Sequence, residues 1–481
     1  MATLADHIAQ TALQHYERRL PTKGKPKDSE WTVFASIVAT TKTSSTSSDH
    51  GLDLDQPPAS WVVSCATGTK CTASQNDRTG CVLHDSHAEV LARRGLVRSL
   101  WMEVAGLIHP PGVFDSTHKA KSCLLEQDET TNKIRIRRDL LLHLYISDSP
   151  CGDASIYPLV ENEDDVTYEL QYTGAKVIVS EHTKVTGKDC GGDHQLLLKS
   201  SSAIFSSSYV AREDVQLLGK LRTKAGRSNI EAARRSTSMS CSDKIVRWMV
   251  LGLQGRHLMK WIQDPIRFAT IVVSQDPRVR QAQDQLDALE RAISTRVALI
   301  RVDLEKLLDN KNKMYGYHDL ENFVLNLPKC SVSVVRSVFS RGKSARDATK
   351  AHRKRLREES DQKSCNHSPA GVSVNWLHLD PEVELVIGAR GIRQGKKPKS
   401  EQDFRSMASR LSRNALTQLA FDNHLLNCDT RSKISYQLLK EEWSPRWYGQ
   451  VRERLFQCGP LAGWIVSDSD FAIGEKHADA T

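Results

Sequence analysis

The strongest constraint on the fold is one apolar run, residues 140–147 (LLLHLYIS), which only a single histidine and the final serine interrupt. A strand has this pattern when both of its faces are buried, as in the centre of a sheet that helices cover. The run leads into Ser149-Pro150-Cys151, where the proline indicates a turn. We therefore expect a buried central strand that delivers Cys151 to the edge of a sheet.

Other segments alternate between strand and helix patterns. Residues 31–41 and 61–66 are rich in β-branched and aromatic residues, which favours strands. Residues 5–19 and 87–101 carry apolar side chains at helical spacing. Residues 244–261 have the same spacing and predict one buried helix that continues through its two glycines. Such alternation is typical of an α/β fold.

Two polar stretches interrupt these patterns. Residues 42–60 are rich in serine, and residues 341–357 hold eight Lys or Arg and one acid without apolar periodicity. For the basic run, a solvated loop ranks ahead of a nucleic-acid contact or a nuclear-localisation patch. We expect residues 42–60 and 341–370 to be flexible insertions in a single catalytic domain, residues 1–481, because no linker separates two folds.

Composition excludes several classes of protein. The 481 residues are 39% hydrophobic and 26% charged, without an apolar run of about 18 residues or a secretory pattern, so we expect no membrane contact. Eleven cysteines are too few for a disulfide scaffold. These features predict an intracellular protein, cytoplasmic and/or nuclear. The net charge of +9 favours a polyanionic partner.

Two short motifs have residue types that suit zinc chemistry. His87-Ala88-Glu89 opens a helix-like segment, and Pro150-Cys151 follows the buried run. Catalytic zinc takes three nitrogen or sulfur ligands and leaves a fourth position for water, whose pKa it lowers. A carboxylate beside the metal can then transfer protons. We predict that His87 and Cys151 bind zinc and that Glu89 is the proton shuttle.

The third ligand is not fixed by these motifs. Zinc-dependent nucleobase deaminases carry H-x-E followed by P-C-x-x-C, but Ala154 stands where the second cysteine would be. The candidates are Cys190, Cys241 or another thiol of the chain. Cys241 is better placed, because it lies between a polar segment and an apolar helix, where a thiolate is favoured, whereas Cys190 lies in a K-D-C-G-G-D loop.

Three longer segments resemble the signature blocks of the adenosine deaminases that act on RNA and tRNA: D-S-H-A-E-V-L-A-R-R, L-Y-I-S-D-S-P-C-G-D and S-M-S-C-S-D-K-I-V-R-W. The resemblance implies hydrolysis of adenosine to inosine, with Cys241 as the third ligand of one zinc ion and Asp85 close to the site. It also implies a cytidine-deaminase-like α/β core. That core is a central mixed sheet flanked by helices, with large insertions and a mostly helical C-terminal extension.

Within this family the chain is more similar to the tRNA-specific branch, which makes inosine at position 37 of alanine tRNA. Residues 221–227 (LRTKAGR) resemble that branch, and no double-stranded-RNA-binding module is evident ahead of the core. The expected partner is the anticodon loop of alanine tRNA, with no obligate protein partner. Thr69 and Lys70 resemble a loop that touches the target nucleotide, although a plain turn at Gly68 explains them almost equally well.

The family also buries an inositol hexakisphosphate, which the resemblance implies here as a structural cofactor. So anionic a ligand needs many cations in a protein interior. Two departures from the family alter this site: Val466 and Ser467 replace an acid and a lysine, and His84 stands where asparagine is common. The matching positions are cations and aromatic residues that would otherwise lie at the surface: Arg93, Arg94, Lys244, Arg247, Arg413, Tyr436, Lys440, Tyr448, Arg452 and Trp464.

Two other functions compete with a tRNA deaminase. One is an adenosine deaminase that edits double-stranded RNA. The other is an inactive RNA-binding protein with structural zinc. The presence of Glu89 argues against the second, because a structural zinc ion needs only its ligands.

Overall fold

The computed structural model describes most of the chain, in blocks separated by gaps. Large parts of both predicted insertions, 42–60 and 341–370, lie outside the described residues, as does Cys190. The described residues are 3–42, 58–72, 77, 79–109, 123–160, 168–170, 176–177, 218–224, 236–262, 264–279, 281–308, 321, 323–324, 326–327, 329–343, 345, 367–395, 399–426, 434–466 and 471–473.

The centre of the fold is an eight-stranded sheet. Its strands are β1 (Phe34–Thr41), β2 (Ser60–Thr67), β3 (Leu140–Ile146), β4 (Thr270–Ser274), β5 (Ser331–Val335), β6 (Val372–Leu377), β7 (Glu384–Ile387) and β8 (Ile392–Arg393). The order across the sheet is β5-β4-β3-β1-β2-β6-β7-β8. Strands β3, β4 and β5 run parallel, while β1, β2, β6, β7 and β8 pair antiparallel. The predicted α/β fold with a central mixed sheet is confirmed.

Helices cover both faces of this sheet, and side chains along β1 alternate between them as a strand requires. Ala35 and Ile37 pack in the core under α2 (Ala88–Ile108). Phe34 and Val38 face the opposite side, where α1 (Leu4–Arg19) packs. The predicted apolar run at β3 therefore lies in the middle of a three-layer arrangement.

Seven further helices follow in the described part of the chain. They are α3 (Cys241–Leu251), α4 (Ala282–Leu289), α5 (Arg296–Leu308), α6 (Glu401–Ser406), α7 (Arg413–Asp422), α8 (Tyr436–Glu442) and α9 (Arg446–Gln457). A π turn, Glu290–Thr295, joins α4 to α5 without a break. Helices α6 to α9 form the mostly helical C-terminal extension that the sequence predicted.

The single helix predicted for residues 244–261 is wrong. Helix α3 ends at Leu251, and Gly252 has a φ of +91°, a left-handed conformation that favours glycine and ends helices. A separate short 3₁₀ turn then forms at His257–Lys260. Apolar spacing continued past the glycine because both pieces pack in the same core, so periodicity alone could not locate the break.

Three elements converge at one edge of the sheet. The carboxyl end of β3 runs into Ser147, whose backbone N–H donates to the Phe34 carbonyl, and from there to Cys151. Helix α2 starts directly after a short ladder in which Thr69–Cys71 pairs antiparallel with Asp85–His87. Helix α3 begins at the same edge. No helix in the described part of the chain is long and apolar enough to cross a membrane.

Candidate metal centre and adjoining cavity

The three predicted zinc ligands lie at the ends of secondary-structure elements. His87 occupies the N-cap position of α2, and Cys151 follows β3 in the turn before the short 3₁₀ helix Asp153–Ser155. Cys241 is the first residue of α3, where Ser240 accepts the Asp243 backbone N–H at 3.2 Å. Each ligand therefore has a backbone conformation fixed by a cap or a turn.

The spacing of the three side chains suits zinc. Nδ1 of His87 lies 3.6 Å from Sγ of Cys241 and 3.9 Å from Sγ of Cys151, and all three ligand atoms lie within 4.8 Å of one another. A tetrahedral zinc ion with ordinary Zn–N and Zn–S bonds requires about 3.5 Å between these atoms. One histidine and two cysteines are also the donor set of catalytic zinc in nucleobase deaminases. The residues present fit a zinc ion with an open fourth position.

The local electrostatics also favour a cation here. Burial lowers the pKa of His87, but nearby thiols, Cys151 first among them, outweigh it and raise that pKa to about 10. A hydrogen bond from Cys241 holds the pKa of Cys151 well below its usual range, against the effect of burial. The Cys151 thiol is thus held as a thiolate, whereas burial raises the pKa of the Cys241 thiol well above its usual range, so that binding of a metal ion would displace the Cys241 proton.

Glu89 lies beside this group and is almost completely buried. Its Oε2 atom is 3.5 Å from Sγ of Cys241. Burial raises the pKa of the Glu89 carboxyl above its ordinary value. A carboxyl that holds a proton more readily than usual, next to a metal site, has the chemistry of a general acid and base.

The turn at Cys151 and the start of α3 are in direct contact. The Ser242 backbone N–H donates to the Cys151 carbonyl at 3.1 Å, and the Ser242 hydroxyl donates to the same carbonyl at 2.9 Å. Gly152 has a φ of +108°, and a Cβ atom there would lie 2.3 Å from the Ser240 hydroxyl oxygen. Only glycine allows the two segments to approach this closely.

Asp85, predicted to lie near the site, is buried between two lysines. Nζ of Lys224 lies 2.7 Å from Oδ2 of Asp85, and Lys244 donates to the same oxygen. Although burial acts in the opposite direction, these lysines hold the pKa of Asp85 well below its usual range. The Asp85 carboxylate also accepts the His87 backbone N–H at 3.0 Å, so it connects the lysines to a ligand.

Lys224 is a residue of the metal site that the sequence did not single out. Its ammonium reaches Sγ of Cys241 at 3.2 Å as well as Asp85. The one clue in the sequence was that Lys224 lies in L-R-T-K, part of the segment 221–227 that resembles the tRNA-specific branch. The backbone pairs that segment with the residues before Cys241: Lys224 N–H donates to the Ser238 carbonyl at 2.7 Å. Only that tertiary pairing shows that Lys224 faces the metal site.

Thr69 and Lys70 lie next to the metal ligands. In the short ladder Thr69 is the partner of His87, and Lys70 is the partner of Ser86. Both residues therefore lie on the strand that is paired with the strand bearing His87. Cys71, next in the ladder, forms a second group of ligand-type atoms with Asp85 and His87.

A large cavity of about 1250 Å³ adjoins the metal centre on the far side of Lys244 and Asp85. Its wall comes from α2, α3 and the C-terminal helices. All of the residues predicted to bind a polyphosphate line this cavity: Arg93, Arg94, Lys244, Arg247, Arg413, Tyr436, Lys440, Tyr448, Arg452 and Trp464. Residues more than 300 positions apart in the chain are therefore brought to one wall.

The cavity is strongly cationic and poorly solvated. Burial, followed by repulsion from Arg247, lowers the pKa of Arg93 to about 9. Burial lowers the pKa of Arg94 to about 10, and burial together with Arg413 lowers the pKa of Lys440 to about 7. An anion bound among these cations would favour their charged forms and offset both burial and mutual repulsion. This property of the wall fits a compact polyphosphate.

Aromatic rings fill the spaces between these cations. The Arg247 guanidinium lies 5.1 Å from the Trp464 ring centroid, and the Lys440 ammonium lies 4.0 Å from the Tyr436 centroid. The cavity also includes Arg256 and His257, which the sequence did not predict. The prediction of one continuous helix over 244–261 could not reveal these two residues, because the break at Gly252 directs the residues after it to the cavity.

Two of the residues that depart from the family, His84 and Val466, also lie on this wall, whereas Ser467 lies outside the described residues. Nε2 of His84 is 3.7 Å from Oδ2 of Asp77, an acidic residue that also lines the cavity. Val466 is 45% exposed at the rim and provides no charge. Val466 therefore adds no cation to the wall.

Comparisons with known proteins agree with this architecture. The model of the adenosine-deaminase (editase) domain matches residues 64–467. The chain is 26% identical to "tRNA-specific adenosine deaminase 1" of Homo sapiens over 557 aligned positions, which cover 97% of this chain and 99% of that protein. The protein of the same name from Drosophila melanogaster is 32% identical over 300 positions, 60% of this chain and 58% of its own length.

A relative with another substrate in its name matches less of the chain. The "Double-stranded RNA-specific adenosine deaminase" of Mus musculus is 26% identical over 377 positions, which cover 75% of this chain and 25% of that protein.

Proposed function

This chain belongs to the family of the adenosine-deaminase (editase) domain, and from that membership we propose that it is a zinc-dependent enzyme that hydrolyses adenosine to inosine in tRNA. The proposed target is position 37 of alanine tRNA, the purine 3′ of the anticodon. The observation that supports the reaction is the approach of His87, Cys151 and Cys241 to one point beside the buried Glu89 carboxyl.

The choice of tRNA rests on the relatives. The similarity to "tRNA-specific adenosine deaminase 1" of Homo sapiens extends over 97% of this chain and 99% of that protein. The similarity to the double-stranded-RNA-specific protein of Mus musculus covers only 25% of the latter. We therefore treat residues 1–481 as one catalytic domain for tRNA. An intracellular location, cytoplasmic or nuclear, follows from such a substrate.

In this proposal His87, Cys151 and Cys241 hold one zinc ion. When bound, zinc supplies the Lewis acidity that makes water a nucleophile at neutral pH. Glu89 then takes a proton from the attacking water, delivers one to the adenine ring and assists the departure of ammonia. Its raised pKa suits a group that must both accept and donate protons near neutral pH.

The chain's other residues orient these groups. Asp85 accepts the His87 backbone N–H, which fixes the end of the short strand that bears this ligand. Lys224 donates toward Cys241, so it stabilises the thiolate form that zinc needs. We propose that Thr69 and Lys70, on the strand paired with the one that bears His87, contact the sugar and phosphate of the target nucleotide.

We further propose that the cationic cavity holds inositol hexakisphosphate as a structural cofactor. The support is the convergence of the arginines and lysines on a buried volume of about 1250 Å³. Without an anion their mutual repulsion and lost hydration oppose folding. A ligand that binds only the folded protein adds to stability by mass action.

Two matched substrates test the proposed activity. Folded alanine tRNA and a perfect RNA duplex are each incubated with the purified protein, and inosine is measured by nucleoside mass spectrometry. The proposal predicts turnover of the tRNA, and a rate that decreases as salt rises, because phosphate contacts release counterions. Turnover of the duplex with none of the tRNA would instead assign the protein to double-stranded-RNA editing.

A further inference from the structure

Both cysteine segments carry an aspartate two residues beyond the cysteine. Asp153 follows Cys151, and Asp243 follows Cys241; both aspartates are completely buried. Each is paired with an arginine from the continuous α4–α5 helix, at or next to its π turn: Arg291 for Asp153 and Arg296 for Asp243. The proposed zinc chemistry does not use these four residues.

Arg291 fixes the chain as it leaves Cys151. Its Nε atom donates to Oδ2 of Asp153 at 3.1 Å, and its Nη2 atom donates to the carbonyls of Asp153 and Ile156 at 2.9 Å each. The other carboxylate oxygen of Asp153 accepts the Gly219 backbone N–H at 2.8 Å. One planar guanidinium thereby binds the carboxylate and both ends of the 3₁₀ turn after the ligand.

Arg296 does the same for the segment that carries Cys241. Its Nη1 atom lies 2.7 Å from Oδ1 of Asp243, and its Nη2 atom donates to the Pro460 carbonyl at 3.0 Å. Oδ2 of Asp243 accepts the Ser240 hydroxyl at 2.6 Å and the Arg222 backbone N–H at 2.9 Å. Ser240 caps α3 directly before Cys241. By accepting the Ser240 hydroxyl, Asp243 fixes the start of α3 and with it the position of Cys241.

The π turn lets one helix reach both segments. Arg291 and Arg296 are five residues apart, which in an ordinary α-helix separates two side chains by roughly 140° around the axis. The π turn Glu290–Thr295 widens the turn so that its hydrogen bonds join residues five apart, and such residues then lie on nearly the same face. π turns occur often at functional sites.

We propose that Arg291 and Arg296 are positioning residues that hold the two cysteine turns, so that both thiolates point to a single metal ion. This inference rests on the zinc centre of the proposed function. Neither arginine contacts a ligand atom; each acts through an aspartate and the backbone. Groups that orient metal ligands in this way typically contribute 10–100-fold to metal affinity or activity.

The test compares three Arg→Lys substitutions in the full-length protein. Arg291→Lys and Arg296→Lys keep the charge, but a single ammonium cannot reproduce the planar set of contacts. Arg267→Lys is the matched control, because the Arg267 guanidinium donates to the carbonyls of Met249 and Val250 at the opposite end of α3. The measurements are the absorption spectrum of the Co²⁺-loaded protein, the rate of zinc release to a chelator, and the melting temperature.

We expect Arg291→Lys and Arg296→Lys to change the thiolate–cobalt bands and to release zinc about 10-fold faster or more. Their kcat should decrease at nearly constant KM. Arg267→Lys should lower only the melting temperature. If a lysine variant does not fold, Asp153→Asn or Asp243→Asn, which keeps the shape of the aspartate, should produce the same spectral change.

Two results would overturn the inference, for different reasons. In the first, the Arg291 and Arg296 variants melt at a lower temperature, as the control does, while their cobalt spectrum and rate of zinc release stay unchanged. Both arginines would then be merely structural. If the unsubstituted protein binds neither Co²⁺ nor Zn²⁺, the proposed zinc centre itself is wrong, and the inference falls with it.

Discussion

The ammonium of Lys224 lies 3.2 Å from Sγ of Cys241, and both side chains are buried. Burial disfavours the charged ammonium, but Asp85 and the neighbouring thiols raise the pKa of Lys224 well above its usual range. The lysine is therefore charged at neutral pH. Its charge balances that of Asp85 and would balance part of the charge of the two thiolates that zinc requires.

Removal of the Lys224 charge should weaken zinc binding and slow catalysis. We expect Lys224→Met to lower kcat and zinc retention by about 10–100-fold, the usual effect of removing a group that orients or balances metal ligands. Lys220→Met is the control, because Lys220 is exposed on the same segment. Zinc content by plasma mass spectrometry, together with single-turnover rates, provides the comparison. Equal values for both variants would show that Lys224 does not serve the metal site.

Glu89→Ala should abolish deamination and leave about one zinc ion per chain. The physical reason is that Glu89 is proposed to move protons and is not a ligand, and loss of a general acid and base typically costs 10²–10⁴-fold in rate. Metal analysis of the purified variant decides the point. Loss of zinc on this substitution would show that Glu89 helps to hold the metal.

The identity of the third ligand is tested by two cysteine substitutions. Cys241→Ala should lose zinc and much of the folded protein, because metal binding contributes to the stability of the fold. Cys190→Ser should keep zinc and activity. Cys190 lies outside the described residues, so this experiment supplies information that the structure does not. The reverse pattern would mean that Cys190 completes the site.

Lys440 should take up a proton when the cavity binds its anion. Burial and neighbouring arginines lower the pKa of Lys440 to about 7, whereas the ordinary value is 10.5. A polyphosphate favours the charged form and raises that pKa, so between pH 7 and 10 binding must draw a proton to this group. Calorimetry at pH 8.5 in buffers of different ionisation enthalpy measures the uptake.

Lys440→Arg is the control for that experiment, because arginine stays charged at pH 8.5 and still supplies a cation. Protons exchanged by the polyphosphate itself are the same for both proteins. We therefore expect the unsubstituted protein to take up more protons than Lys440→Arg, by up to one per site. An identical uptake by the two proteins would mean that the anion does not change the protonation of Lys440.

Local patterns in the sequence were sufficient for much of the fold. The run at β3 predicted a buried central strand because both faces of that strand are covered. His87, Glu89 and Cys151 were identifiable because capped helix starts and strand ends place ligands in short motifs. The resemblance, and not spacing, selected Cys241.

Contacts between distant segments could not be predicted in the same way. Lys224 reaches the site only because its backbone pairs with Ser238. The pairing of Arg291 with Asp153 joins residues 138 positions apart and depends on a π turn, which apolar periodicity does not reveal. Arg256 lines the cavity because the helix ends at Gly252, although the apolar pattern on both sides of this glycine indicated one helix.

The most direct test of the central claim is to incubate the purified protein with total tRNA from cells that lack this activity and to sequence the products. Inosine pairs with cytidine and is copied as guanosine. We predict an A-to-G change at position 37 of alanine tRNA, immediately 3′ of the anticodon, and none with Glu89→Ala. Unchanged tRNA after incubation with zinc-loaded protein would contradict the proposed function.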